Sequence, residues 1–437
     1  MMIKVKIKFL LKRTLFVGTL QCFVFTGLSQ EKMVLNLEQA KKHAVEYNRD
    51  LQKAGISIEE AQESLWQTVS KGLPQIDATV DYSNYLGFDM QFGGQSIAFN
   101  PTSNAKVTLS QLIFSGSYWV GIDMAKIAKN IAEKNVVKTE LDVKENVTNS
   151  YYSILLAIQT QNILKQNLES MREIHRRTED MVKMEMLEKT NAEQIRIQVL
   201  NLEALIHSIN RNITMGYNML RLQLGVSPDV EIELLGNVDS EIGESSIREL
   251  YNRSEQNFSV ENNISFQMLK SQEELQLKQI SMDKMAYLPT ISGFYSYTYK
   301  LKKPAFDMSP ANVIGFQANI PIFSSFNRRS KLRQSKIQLK SLQKDIEQIE
   351  DQLSIQEKQL RFNLMNAYEQ FNIQQENVKV SKLVFENASS KHEYGLISAL
   401  DLTTAHSNYL QAENSLITAK NDLLKAQTEL CKLLEIL

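Results

Sequence analysis

From Ala405 to the last residue the chain keeps a strict heptad in which one seam position is nearly always alanine and the other nearly always large. Ala405, Ala412, Ala419, Ala426 and Leu433 fall seven apart, and Tyr409, Leu416, Leu423, Leu430 and Leu437 interleave with them. A period of 3.5 residues holds one narrow stripe of a helix against a partner in a left-handed supercoil, and alanine lets that partner come close. The same phase occurs earlier, where Ile195, Leu202, Ile209 and Gly216 interleave with Val199, Ile206, Ile213 and Leu220. The chain is therefore predicted to build its coiled coil twice.

Long helices also require the absence of breakers. The 437 residues include only 7 prolines and 16 glycines; no proline lies in 102–227 or 322–437, and Gly395 is the only glycine in the second stretch. A proline inside a helix costs about 3 kcal/mol. Two uninterrupted helices are predicted, from Gly116 to about Met186 and from Asn327 to about Tyr394. At 1.5 Å per residue each is about 105 Å long, so it must project through solvent. In the second helix the buried stripe reads Leu342, Ile346, Ile349, Leu353, Leu360, Leu364, Ala367 and Phe371, with Gln, Lys and Glu between.

The sequence also aligns with itself. One constant offset pairs Val45 with Val260, Asn48 with Asn263, Leu73-Pro74 with Leu288-Pro289 and Tyr82 with Tyr297. After a polar, Gly-rich loop a shorter offset pairs Ile113-Phe114-Ser115 with Ile322-Phe323-Ser324. Length changes of this kind are tolerated in loops, and the pattern is read as an internal duplication. The first repeat spans 30–228 and the second 245–437, with an inter-repeat linker at 229–244. Each is expected to open with one helix, at about 36–72 and 245–287, that stops at Leu-Pro because the residue before proline is pushed out of the helical region.

Period-two alternation follows each proline and marks strands at about 75–85, 104–114, 290–299 and 313–322. Strands of about ten residues suit either a small soluble β-subdomain or a tilted crossing of a bilayer. Four strands cannot close a barrel, so in lipid their outer edges would leave unpaired backbone groups, and further copies would have to supply partners. Two or three chains would suffice, and the residues do not choose between them. Tyr82, Tyr85, Tyr295, Tyr297 and Tyr299 are candidates for an interfacial aromatic belt.

At the N-terminus, Lys4, Lys6, Lys8, Lys12 and Arg13 precede an apolar run from Thr14 to Leu28 and small residues at Gly27 and Ser29, which predicts a signal peptide over 1–29. Leu20 and Gln21 do not offer the small residue that lipidation at Cys22 would need. Cleavage near Ser29 would leave Cys431 alone, without an intrachain disulfide. Net charge is -1, from 49 basic and 50 acidic residues, and neither sign forms a long block beyond the first residues. That balance argues against nucleic acid and against a polybasic lipid anchor. There is no nucleophile elbow, phosphate loop, dinucleotide fingerprint or metal-ligand spacing, and His43, His175, His207, His392 and His406 are scattered. No enzyme activity, cofactor or metal is expected.

Taken in order and in duplicate, these features resemble the TolC-type outer-membrane efflux family, the outer-membrane factors of tripartite exporters, over about residues 33–437. The motifs that carry the resemblance are the strand starts at Pro74 and Pro289, the Ile-Phe-Ser strand exits at Phe114 and Phe323, and Tyr394-Gly395 followed by Ala399-Leu400-Asp401-Leu402 and the heptads. The resemblance implies a mainly α fold with a β-barrel: a homotrimer whose twelve strands form one outer-membrane barrel on a long α-helical coiled-coil tunnel in the periplasm, with the linker in an equatorial region. It also implies outer-membrane lipid around the barrel, a periplasmic adaptor (membrane fusion protein), an inner-membrane pump, and small-molecule or protein cargo. By motif alignment Asp401 would narrow the periplasmic aperture after the turn at Gly395, although a helix-start role for that carboxylate is also open. The family's next acid and its latch base align with Thr404 and Ile397, and Asn191 stands where the first repeat often has an acid. Two functions follow: a passive duct of a tripartite efflux or type I secretion system, or a non-pore periplasmic coiled-coil adaptor or scaffold. Strands in the middle of each repeat favour the duct.

Overall fold

A short strand β1 (Met33–Leu35) leads into α1 (Leu37–Tyr47) and α2 (Arg49–Ser70), followed by β2 (Gln75–Ser83), a small hairpin of β3 (Asp89–Phe92) and β4 (Gln95–Ala98), and β5 (Thr102–Phe114). Two long helices come next, α3 (Gly116–Lys183) and α4 (Lys189–Leu224), then β6 (Ile232–Leu234), α5 (Val238–Glu241) and α6 (Glu244–Asn257). The chain continues through α7 (Ile264–Met285), β7 (Thr290–Lys302), β8 (Asn312–Asn319), α8 (Asn327–Glu393) and α9 (Ala399–Leu433). This computed structural model describes residues 32–437 apart from 87, 93, 94, 99 and 304–308; the predicted signal peptide at 1–29 lies outside them. No described helix is long and apolar enough to cross a membrane.

The single opening helix expected in each repeat is broken in both. At Asn48 the backbone is extended (φ -63°, ψ 130°), ending α1, and its Oδ1 accepts from the amides of Asp50 (2.9 Å) and Leu51 (3.1 Å), starting α2. Asn263 makes the same cap, accepting from Ser265 (3.0 Å) and Phe266 (3.3 Å), so the segment expected as 245–287 divides into α6 and α7 around a 3₁₀ turn at Val260–Asn262. An asparagine whose side chain satisfies orphan amides can restart a helix without proline or glycine. Asn48 Nδ2 also donates to Gln223 O (2.7 Å), binding the break to the C-terminal turn of α4, which ends at Gly225 with φ 72°. The stretch expected to be linker carries β6, which pairs in parallel with β1, and α5.

Strand limits differ modestly from expectation. β2 ends at Ser83 and not near 85, β5 begins at Thr102, β7 runs on to Lys302, and the loop around 86–101 holds β3 and β4. β8 stops at Asn319 and not near 322, because Pro321 has no N–H to give the ladder.

The heptads are the core of the helical body. Ala405 and Ala412 are buried on α9, and Ala419, Leu423, Ala426 and Leu430 pack in one cluster with Ile346, Leu353, Leu360, Leu364, Ala367 and Phe371 of α8. Ile195, Leu202 and Leu220 are buried on α4. At Gly216 a Cβ would come within 2.9 Å of Ile154 Cγ1, so glycine permits the close approach of α3 and α4. The pairs α3/α4 and α8/α9 lie side by side through α3 and α9. Lys432 holds that seam, reaching Asp142 and Glu145 at 2.6 Å each. Above it α7 fills the place of α9 between α3 and α8. The flanks remain open: Ile197, Met215, Met219 and Leu222 on α4, and Ile355, Phe362, Ile373 and Val380 on α8, are exposed at helical spacing.

Candidate functional site

Two places combine the predicted residues: the four-stranded sheet and the helical tips farthest from it. The sheet has the order β2-β5-β7-β8, all antiparallel, so strands of both repeats join edge to edge. Pro74 and Pro289 immediately precede β2 and β7. Phe114 is the last residue of β5, whereas Phe323 lies beyond the end of β8, so the second Ile-Phe-Ser is not a strand exit.

Directly opposed residues in an antiparallel ladder point to the same face. Ile76 opposes Leu109, which opposes Tyr295, which opposes Ile314. Ala78, Val107, Tyr297 and Asn312 form the next row, and Val80, Ala105 and Tyr299 the one beyond. The other face carries Asp77, Thr108, Ser296 and Val313 in one row and Thr79, Lys106 and Thr298 in another. The sheet is thus mostly apolar on one side and mostly polar on the other, and among the described residues β2 and β8 each pair on one side only. Tyr295, Tyr297 and Tyr299 form a column along β7 and not a belt, while Tyr85 lies past the end of β2.

At the far tips, α8 turns into α9 through Gly395 (φ 69°), whose amide donates to His392 O (2.9 Å), with Leu396 N donating to Lys391 O (2.9 Å). The α3–α4 turn has the same hydrogen bonds, with Glu185 (φ 60°) in the left-handed position that glycine takes in the second repeat. Gly395→Ala meets only Met181 Cε at 3.9 Å, so its expected cost is the left-handed backbone alone, about 1–2 kcal/mol by denaturation of the purified protein.

Asp401 is the third residue of α9 and closes a capping box: its Oδ2 accepts from Ser398 N (3.2 Å) and Ser398 Oγ (2.7 Å), and Ser398 Oγ accepts from Asp401 N (3.1 Å). Asn191 is the third residue of α4, and its Oδ1 accepts from Ala399 N at 3.3 Å, so the two helix starts touch. Ile397 contributes a carbonyl to His392 Nδ1 (3.2 Å). The tie between the coils comes from residues that sequence reading missed. Arg177 on α3 pairs with Glu393 on α8 and with Glu173 (2.6 Å), beside a buried contact of Thr178 Oγ1 with His392 Nε2 (3.1 Å). Neither partner belongs to a motif, and they lie 216 residues apart.

Farther up α9, His406 is fully buried against Phe385 (ring centroids 5.1 Å apart), and neither ring nitrogen has a partner. Burial lowers its pKa to about 4. Since the unfolded chain then binds more protons than the folded one below the ordinary value of 6.5, stability is full above that pH and falls as pH drops toward 4. Glu413, raised by burial and held by Asn167 (2.9 Å) and Tyr409, works in the opposite sense. A loss on the order of 3 kcal/mol attributable to His406 is expected between those limits, and His406→Met should flatten that part of the pH–stability curve.

With this geometry in place, comparison with known proteins is informative. A sequence profile described as "Outer membrane efflux protein" matches residues 41–183 and 259–434. The outer membrane protein TolC of Salmonella enteritidis is 22% identical over 357 residues, 78% of this chain and 69% of that protein. Among solved structures, the Campylobacter jejuni CmeC outer membrane channel superposes with a TM-score of 0.74 at 17% identity, covering 91% of this chain and 85% of CmeC. The outer membrane protein VceC of Vibrio cholerae gives 0.72 at 14% identity, covering 91% and 95%.

Proposed function

The chain belongs to the outer membrane efflux protein family, with a channel role at the outer membrane, and from that premise we propose that three copies join their four-stranded sheets into one twelve-stranded barrel standing on a periplasmic tunnel of paired helices. The observation that carries this reading is the sheet itself, mostly apolar on one face, mostly polar on the other, and unpaired along two edges among the described residues. In lipid each unpaired backbone group costs several kcal/mol, and joining β8 of one copy to β2 of the next satisfies both edges. The exposed stripes of α4 and α8 would be buried by the same closure.

Inside, the lining would be wet and of mixed charge: Asp77, Asp81 and Lys106 in the barrel, and the carboxamide groove of Asn363, Asn366, Gln370 and Gln411 between α8 and α9 below. On this arrangement the opposite flank of α8, covered by α6, faces outward. Such a duct holds no energy source. It would work passively, joined through its tips to a periplasmic adaptor and an inner-membrane pump, and would carry small molecules or proteins outward in efflux or type I secretion. Exposed Met184, Met186, Tyr394 and Leu396 give those tips an apolar surface for the adaptor. In the closed state the Arg177–Glu393 pair ties neighbouring coils, and three Asp401 carboxylates converge near the axis, attracting cations.

Fractionation followed by unheated gel electrophoresis tests the assembly: an outer-membrane oligomer that collapses to monomer on heating is expected, and a soluble periplasmic monomer would support the non-pore scaffold instead. For the aperture, Asp401→Ala should relieve cation block in single-channel records, at a cost of about 1 kcal/mol from the lost cap. Unchanged block would dismiss the aperture role and leave the capping box.

A further inference from the structure

We propose that an exposed basic stripe at the barrel end of α8 seats the headgroups of anionic phospholipids in the periplasmic-side leaflet. The inference rests on the barrel placement proposed above. Between Arg328 and Lys344 the chain has seven basic side chains interspersed with neutral ones and no acidic one, a short acid-free run in a sequence otherwise balanced in charge. Three of them are engaged within the fold: Arg328 lies over the Tyr287 ring (5.3 Å), Lys331 is 3.7 Å from buried Asp283, and Lys344 pairs with Glu347 (2.6 Å). Arg329, Arg333, Lys336 and Lys340 are exposed and have no acidic partner among the described residues.

Their spacing places these four on one stripe of the helix. Lys336 lies a whole number of heptads above Glu357, and Arg333 and Lys340 a whole number above Arg361. Glu357 and Arg361 face α6, through Ser254 (2.6 Å) and Glu255 (2.7 Å). The stripe therefore runs along the α6 flank, away from the carboxamide groove. Cations in the first turns of a helix oppose its dipole, and no acid in the first turn offsets them. An anion from outside the chain would.

What lies next to the stripe identifies the source of that anion. Immediately before α8, Ile322, Phe323 and Phe326 are strongly exposed, with the two rings edge to face at 6.0 Å, and they follow β8 of the apolar sheet face. Aromatics followed by basic residues mark the level where hydrocarbon gives way to headgroups. Helical side chains lean toward the N-terminus, which here is the bilayer side. Arg329 and Lys340 are about 16 Å apart along the axis, so the arginines sit at headgroup level and the lysines reach up to it. The guanidinium forks of Arg329 and Arg333, one turn apart, match phosphodiester oxygens. A lipid with net negative charge is favoured, since a zwitterionic headgroup brings its own cation.

The test is native mass spectrometry of the full oligomer in detergent, supplied with phosphatidylglycerol or phosphatidylcholine. The parent should retain at least about tenfold more phosphatidylglycerol, with the preference shrinking as salt rises through the screening range. Arg329→Gln/Arg333→Gln/Lys336→Gln should reduce retention to the phosphatidylcholine level, whereas Lys358→Gln, lower on the same helix, should match the parent. Parent-like single-channel conductance in the triple variant would separate loss of the lipid seat from loss of the channel. An undiminished preference in the triple variant overturns the proposal. So does full displacement of the lipid by millimolar glycerol phosphate, which would indicate a soluble-anion site. Should the triple variant fail to assemble, a parent preference insensitive to salt overturns it equally.

Discussion

Arginine in place of Val107 is expected to abolish assembly in the outer membrane, while arginine at the adjacent Thr108 should leave it intact. Val107 lies near the middle of β5 in the apolar row with Ala78 and Tyr297, and is 45% exposed in the single chain, as a lipid-facing residue would be. An arginine on the lipid face near the bilayer midplane costs about 2–4 kcal/mol, and a symmetric assembly meets that cost in every copy. Thr108 is on the other face, opposite Asp77 and Ser296, where an arginine gains a carboxylate neighbour. Unheated gels of outer-membrane fractions would read both variants, and equal loss in the two would refute the assignment of faces.

The second large effect is expected at the junction of α1, α2 and α4. Asn48→Ala removes the acceptor for two amides and the donor to Gln223 O in a buried setting, for an expected loss of about 2–4 kcal/mol. Gly225→Ala should be at least as damaging, because φ is 72° and a Cβ there would overlap the carbonyl oxygen of Tyr47. Asn263→Ala, at the corresponding position of the second repeat, loses two amide contacts with no counterpart of the Gln223 bond among the described residues and should cost about half as much. Thermal unfolding followed by circular dichroism would rank the three. Asn48→Ala no worse than Asn263→Ala would contradict the role given to the Gln223 bond.

Much of the fold was legible because it is written in local periodicity. The alanine heptad of α9 and most of the stripe of α8 are buried, with Leu342 and Ile349 half-buried beside it, and Leu73-Pro74 and Leu288-Pro289 mark where helix gives way to strand. The break at Asn48 was not legible: it lies between Tyr47 and Arg49 with no proline or glycine, and its effect depends on where a side-chain amide points. Pro321 was a readable stop for β8, outweighed by the match of Ile322-Phe323-Ser324 to the first repeat. At the tips, motif alignment located Asp401 and Gly395 but could not find Arg177 and Glu393, since a charge pair between distant helices leaves no local trace. The basic stretch of α8 was visible as an acid-free run, masked by counting charge over the whole chain.

Electron microscopy of particles extracted from the outer membrane in mild detergent tests the central claim most directly. End-on class averages should show a threefold ring around an open lumen, and side views a short wide segment continued by a long narrow stem. A compact particle without a lumen, or one built from a single chain, would contradict the account.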